Sequence, residues 1–198
     1  MQRTFLASLL LGWLSIPVLA INYTLESPSP DGRFALRLDP LGVDDSSEME
    51  AAIVERATNV TLAKLPATLL GNYSRCQLLW TADSRRVAYT GGEKPVSRTQ
   101  VFFRSGKSFK EIKLPTLPRP AFQSHHRKKS GPALTLYSDI VTPVRWLKSG
   151  SLLLSRNMEM KQESNMHEGK VMITIAFPAH RRAVIRKVQR SEITVDLY

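Results

Sequence analysis

The sequence has little capacity for covalent cross-linking, because Cys76 is its only cysteine. One cysteine cannot form a disulfide within the chain, so the fold must be stabilised by packing. Cys76 directly precedes the apolar stretch Gln77-Leu78-Leu79-Trp80. A thiol in such surroundings usually behaves as a small apolar group. We therefore predict that Cys76 is buried.

The sequence also lacks a second long apolar run after the one at residues 5–14. No later segment approaches the roughly 18 apolar residues that a membrane-spanning helix needs. A basic residue precedes the run, Pro17 follows it, and Val18 and Ala20 provide the small side chains that a signal peptidase requires. The pattern predicts a signal peptide over residues 1–20, no transmembrane segment after it, and export to the periplasm or the extracellular space.

Local signatures of enzymes are missing as well. The chain has no Gly-x-Ser-x-Gly, His-Glu-x-x-His, Gly-x-x-x-x-Gly-Lys or Cys-x-x-Cys motif. The adjacent pair His125 and His126 is a poor metal site, because neighbours on a strand point to opposite faces and basic residues follow directly. We predict a protein without catalysis, cofactor or metal. A hydrolase with Asp31, Asp83 or Asp139 assembled from distant positions stays open as the alternative.

Acidic residues are scarce relative to basic ones, with 17 Asp and Glu against 28 Lys and Arg and a net charge of +11. Such a chain attracts anionic partners. Residues 115–132 are predicted to form a Pro-rich basic loop, in which we expect the cluster at residues 125–129 to be exposed. No Phe, Trp or Tyr interleaves with the cations of residues 125–129 or 181–190, so nucleic acid is not the expected partner. The candidate polyanion-binding residues are His125, His126, Arg127, Lys128 and Lys129 in this loop, and Arg181 and Arg182 in the last hairpin.

Three segments of the sequence repeat one pattern, a tight turn followed by an apolar or alternating run. The turns are Asp-Gly, Asp-Ser and Ser-Gly, and they align without gaps within residues 29–36, 81–88 and 147–154. Trp80 and Trp146 each lie three residues before the turn position, while the first copy has Pro28 in place of tryptophan. An aromatic side chain there should pack one strand against a neighbouring sheet.

Each repeat continues into a predicted hairpin. The first pairs residues 53–56 with 60–65, the second 102–104 with 108–114, and the third 171–177 with 183–188. The first two hairpins both end in Lys-Leu-Pro. Together with a strand on either side of each turn, this gives four short strands per repeat. The sequence therefore predicts an all-β protein of about three four-stranded antiparallel units.

The segments SPDGRFAL, WTADSRRVAY and WLKSGSLLLS resemble the Trp-Ser-Pro-Asp-Gly-Arg repeats of WD-like β-propellers of the TolB type. The resemblance implies a single propeller-like domain over residues 21–198, with each repeat forming one blade. It also implies a scaffold that contacts proteins or peptides, since the repeat residues of that family are structural. Three blades do not complete a ring, so the arrangement is expected to be open or closed by self-association as a homo-oligomer.

The leading hypothesis is thus an exported, non-enzymatic binding or scaffold protein that contacts another protein or an anionic envelope polymer. Two alternatives stay open beside it. One is the secreted hydrolase with carboxylates assembled across blades. The other is a subunit of a larger complex, in which another chain supplies the missing blades.

Overall fold

A computed structural model describes residues 24–40, 48–69, 76–93, 95–122, 135–162, 165–179 and 182–195. Over these ranges the chain is all-β, as predicted, and it has no helix that could cross a membrane. The twelve strands are β1 Thr24–Glu26, β2 Phe34–Pro40, β3 Glu48–Glu55, β4 Thr61–Leu69, β5 Gln77–Trp80, β6 Arg86–Glu93, β7 Val96–Ser105, β8 Ser108–Ile112, β9 Thr135–Trp146, β10 Leu152–Gln162, β11 Asn165–Ala179 and β12 Arg182–Val195.

The strands form three consecutive antiparallel sets of four. We name β1–β4 unit 1, β5–β8 unit 2 and β9–β12 unit 3. Unit 1 is a separate sheet, whereas units 2 and 3 are joined by a short parallel pairing of Val96 with Asp139 and Ser97 with Ile140. The predicted hairpins correspond to β3–β4, β7–β8 and β11–β12. The described sheets are antiparallel and mixed, and they do not close on themselves.

Each unit contains one tight turn between its first and second strands. The turn residue is Gly32, Ser84 or Gly150, with left-handed φ values of 71°, 55° and 76°. This conformation costs little for glycine and explains why two of the three positions carry it. In every copy the turn residue donates its amide to the carbonyl three residues earlier, at 2.8 Å for Gly32 to Ser29, 2.9 Å for Ser84 to Thr81 and 2.8 Å for Gly150 to Leu147.

Aspartate closes the first two turns through its side chain. Asp31 Oδ1 accepts the Ser29 hydroxyl at 2.6 Å and the Arg33 amide at 3.1 Å. Asp83 Oδ1 likewise accepts the Thr81 hydroxyl at 2.6 Å and the amide two residues after it at 3.0 Å. Both aspartates are therefore turn-forming residues, in the manner of Asx turns.

The third turn is one residue shorter than the other two. The Thr81 amide donates to the carbonyl of Arg86, but the Leu147 amide donates to that of Ser151. The gap-free alignment of the three segments is therefore wrong after this turn. A shift by one residue moves every side chain of a strand to the other face of the sheet. Each side chain of β10 therefore lies on the face opposite to the one that the gap-free alignment predicts.

The two repeat tryptophans link successive units through equivalent hydrogen bonds. Trp80 Nε1 donates to the Ser27 carbonyl of unit 1 at 2.8 Å, and Trp146 Nε1 donates to the Leu79 carbonyl of unit 2 at 2.9 Å. Ser27 and Leu79 occupy the same place in their repeats, one residue before Pro28 and Trp80 respectively. Unit 2 is thus bonded to unit 1 as unit 3 is bonded to unit 2.

Unit 2 lies between the other two units and is apolar on both faces. Along β6, Val87 and Tyr89 point into a core shared with unit 1, while Ala88 points into a core shared with unit 3. Along β7, Phe102 joins the first core and Phe103 the second. A strand buried on both faces needs a continuous apolar run, which is what these strands have.

Aromatic rings fill the first junction. Trp80 stacks on Phe34 with ring centroids 6.0 Å apart, and Phe109 contacts both rings edge-on. Cys76 is buried in the same core, as predicted, with its sulfur 3.6 Å from the Tyr89 hydroxyl. At the second junction, Trp146 and Phe103 both contact the ring of Phe177. The prediction that a repeat tryptophan packs against a neighbouring sheet is confirmed for Trp80, whereas the ring that Trp146 contacts belongs to β11 of its own unit.

Replacing either tryptophan by phenylalanine should weaken both the bond and the packing at its junction. Trp80→Phe and Trp146→Phe each leave a carbonyl without its indole donor and reduce the buried ring area, so we expect each to lower the free energy of unfolding by about 1–3 kcal/mol. Urea denaturation measures this. Tyr137→Phe is the control, since its ring is 55% exposed and should change stability by less than about 0.5 kcal/mol. Tryptophan variants as stable as the control would show that the two links do not stabilise the junctions.

Candidate basic cleft

A segment that follows β8 connects unit 2 to the surface of unit 3. We name residues 113–122 the strap. Leu114 and Leu117 pack against the second core, and Pro120 is buried next to Gly169 of β11. A side chain at position 169 would collide with Pro120, so glycine permits the close approach of the strap. The described part of the loop predicted over 115–132 has no regular secondary structure, and it packs onto unit 3. The basic cluster of that loop lies outside the described residues.

Arg156 fixes the strap to unit 3. Its Nε and Nη2 donate to the two carboxylate oxygens of Asp139, at 2.9 and 2.7 Å. Its Nη1 donates to the carbonyls of Leu117 at 2.6 Å and Pro118 at 3.2 Å. Both partners of the ion pair are buried, and this fork-shaped geometry is the one that best compensates a guanidinium removed from water.

Arg98 approaches the same carboxylate from unit 2. Its Nη1 lies 3.2 Å from Asp139 Oδ2, while its side chain stays 56% exposed. Burial raises the pKa of Asp139, but the hydrogen bonds and charge of Arg156, with the charge of Arg98, outweigh it and hold the pKa below its ordinary value. Asp139 is therefore ionised at neutral pH and neutralises the buried Arg156.

The residues around this ion pair enclose a cleft of about 290 Å³ between the strap and the strands β7, β9 and β10. Arg98, Arg119 and Arg156 line it, and no described lining residue is acidic. Because the one adjacent carboxylate is matched by Arg156, the charges of Arg98 and Arg119 remain in excess. Arg119 is exposed and makes no hydrogen bond or ion pair among the described residues. We name this site the basic cleft.

Of the predicted polyanion-binding residues, only Arg182 falls within the part of the chain that the structure describes. His125, His126, Arg127, Lys128, Lys129 and Arg181 are outside the described residues, and Arg182 is exposed at the start of β12, away from the cleft lining. Clustered charge was the signal in the sequence, whereas the cleft is built from single arginines separated by tens of residues. Two weak signals were present: Arg119 stands between two prolines, and Arg156 interrupts the apolar run of β10.

The three carboxylates of the hydrolase alternative are each engaged in structure. Burial raises the pKa of Asp31, but its hydrogen bonds from Ser29 and the Arg33 amide bring it below the ordinary value. The hydroxyl of Thr81 is the largest influence on Asp83 and lowers its pKa as well. Asp139 is held by arginines. All three are therefore shifted toward the ionised form, which is unfavourable for a general acid.

No model of a known protein family and no curated protein matches the chain. Among the residues that the structure describes, no group of three or more His, Cys, Asp or Glu side chains is placed to hold a metal ion. Inference about function therefore depends on the geometry of the cleft and of the junctions between units.

Removing the carboxylate of Asp139 should be costly because it leaves Arg156 buried without a counter-charge. We expect Asp139→Asn to lower the free energy of unfolding at pH 7 by about 3–5 kcal/mol. Since the pKa of Asp139 is lower in the folded chain, its stabilisation is present above the ordinary value of 3.8 and is lost as the pH falls through the folded value. The difference between parent and variant should therefore shrink in strongly acidic buffer.

Asp39→Asn provides the matched control, because Asp39 pairs with Arg37 at 2.8 Å near the surface. That pair should contribute at most about 1 kcal/mol. Urea denaturation at neutral and strongly acidic pH compares the two variants. Equal, small losses for both aspartates at neutral pH would show that the buried pair does not anchor the strap.

Proposed function

We propose that the chain is an exported, non-enzymatic binding module of the propeller type. In this proposal units 1–3 are three blades of an open array, and the basic cleft binds anionic groups of a partner protein or of an anionic envelope polymer. The observation that carries the proposal is the excess positive charge in the cleft. Arg98, Arg119 and Arg156 line the cavity, and Asp139, which both Arg98 and Arg156 contact, is the one carboxylate beside them among the described residues.

The chemistry of guanidinium groups favours this reading of the cleft. A guanidinium is planar and presents paired donors that match the oxygens of a carboxylate or a phosphate. Arg156 and Asp139 make a rigid floor, because every bond that fixes them runs to the sheet or to the strap. Because this floor is already rigid, less conformational entropy is lost when a ligand binds the two exposed arginines.

The open array is supported by the repeated tryptophan link. Unit 3 is bonded to unit 2 as unit 2 is bonded to unit 1, and the described sheets do not close on themselves. Units that contact their neighbours in chain order are typical of a stack of repeats.

The proposed export depends on the predicted signal peptide, which lies outside the described residues. Outside the cytoplasm, the abundant anionic partners are envelope polymers, lipid headgroups and acidic proteins. A basic cleft on a module without an internal disulfide is compatible with that setting, since the two cores stabilise the fold by packing alone.

Binding of poly-L-glutamate and inorganic polyphosphate tests the cleft. We expect the double variant Arg98→Gln/Arg119→Gln to reduce affinity for at least one probe by about tenfold or more, since each charged hydrogen bond contributes roughly 1.5–3 kcal/mol. Titration calorimetry near 150 mM salt measures the affinity, with a urea denaturation curve for each variant to establish that it is folded.

The control is Arg145→Gln/Arg186→Gln, which removes the same charge from exposed positions outside the cleft lining. It should weaken binding by less than about threefold, because exposed charges are largely screened beyond about 8 Å at this salt concentration. Equal losses for the two double variants would mean that net charge and not the cleft attracts the probe, and the proposal would fail.

A further inference from the structure

A second groove opens at the junction between units 1 and 2. It lies between the β3–β4 hairpin and the β7–β8 hairpin and has a volume of about 460 Å³, larger than the basic cleft. Its apolar lining is contributed by Phe34, Val60, Leu62 and Phe109. Val60 is 54% exposed, so part of this apolar lining is open to solvent. We name this site the junction groove.

The charges around the junction groove are predominantly basic. Arg33, Arg104 and Lys107 line it, and Glu55 is the only acidic residue in its described lining. Both oxygens of Glu55 are engaged within unit 1: Oε1 lies 3.6 Å from Arg33 Nη2, and Oε2 accepts the Thr58 hydroxyl at 2.8 Å. Arg104 and Lys107 therefore have no carboxylate partner among the described residues.

The two arginines are held in place by the aromatic ring beneath them. The guanidinium carbons of Arg33 and Arg104 lie 5.3 and 5.0 Å from the ring centroid of Phe34. A cation over an aromatic face is attracted to it without losing its hydrogen-bond donors. Both guanidinium groups are thereby positioned at the rim of the groove and can still donate to an anionic ligand.

The junction groove is separate from the basic cleft. Arg98 lies near the beginning of β7 and Arg104 near its end, a separation of about 20 Å along an extended strand. The strap runs onto unit 3 and does not contribute to the groove lining. A ligand can thus occupy one site without contacting the other.

We propose that the junction groove binds an acidic peptide segment of a partner protein, with an aromatic or aliphatic side chain beside Val60 and Leu62 and carboxylates at Arg104 and Lys107. Charge complementarity selects an acidic segment. The apolar lining selects a peptide over an anion without apolar groups, because only the peptide gains from covering Val60. This inference goes beyond the basic cleft and does not depend on it.

Two synthetic probes separate these contributions, poly-L-glutamate and a random copolymer of glutamate and tyrosine. We expect the chain to bind the copolymer about tenfold more tightly than poly-L-glutamate at equal charge. Burying one aromatic side chain contributes enough binding free energy to give about this difference. Val60→Ser should reduce this preference to about twofold or less. Arg104→Gln/Lys107→Gln should weaken copolymer binding by about tenfold.

Matched controls use positions outside the groove. Val144→Ser changes a side chain that is 44% exposed on β9, and Lys110→Gln/Lys113→Gln removes two exposed charges from β8 and the residues after it. Both controls should retain the preference for the copolymer. A preference that is absent in the parent chain, or that is unaffected by Val60→Ser, would overturn the inference.

The cleft variant Arg98→Gln/Arg119→Gln distinguishes failure here from failure of the proposed function. It should keep the preference for the copolymer. If that preference disappears in the cleft variant and persists in Val60→Ser, the tyrosine-containing probe binds at the basic cleft, and the inference about the junction groove is wrong while the proposed function stands.

Discussion

The burial of unit 2 on both of its faces is the constraint on which the rest of the structure depends. Its strands β6 and β7 place apolar side chains alternately into the two cores, so unit 2 alone would expose both apolar faces. A single repeat unit of this kind cannot bury its apolar faces alone. Units 1 and 3 cover those faces, and the indole bonds of Trp80 and Trp146 fix how each neighbouring unit sits.

The same constraint creates the two candidate sites. Sheets that pack face to face are in full contact at their centres and separate toward their ends, where turns and hairpins diverge. The junction groove opens at the hairpin end of the first junction, and the basic cleft opens beside the second, beneath the strap. In both sites, exposed cations lie around groups that are already packed or paired within the fold. These groups are the Phe34 ring in the junction groove and the Arg156–Asp139 ion pair in the basic cleft. Both sites therefore carry more cationic groups than carboxylates among their described residues.

Local features of this fold could be predicted from sequence because their causes are local. The left-handed turn at Gly32 and the carboxylate of Asp31 leave a short signature, and the tryptophan three residues before Asp83 signals a packed junction. Hairpins follow from alternating apolar runs on either side of a turn. The shorter third turn escaped prediction, since a hydrogen bond to Ser151 in place of the next residue leaves no mark in the composition.

Features that join distant residues could not be predicted in this way. The parallel pairing of β7 with β9 and the path of the strap over unit 3 depend on tertiary contacts alone. The basic cleft combines Arg98, Arg119 and Arg156, none of which belongs to a charge cluster in the sequence. Charge runs are conspicuous in a sequence, but a binding cleft needs cations that converge in space, and convergence is set by the fold.

Hydrogen exchange at the indole Nε1–H groups of Trp80 and Trp146 tests the central claim most directly. Each donates to a backbone carbonyl of the preceding unit, so both should exchange slowly, and at rates that approach the rate of global unfolding. NMR can follow the two signals separately once each is assigned. Rapid exchange at either indole, comparable with that of an exposed tryptophan, would contradict the stacking of the three units.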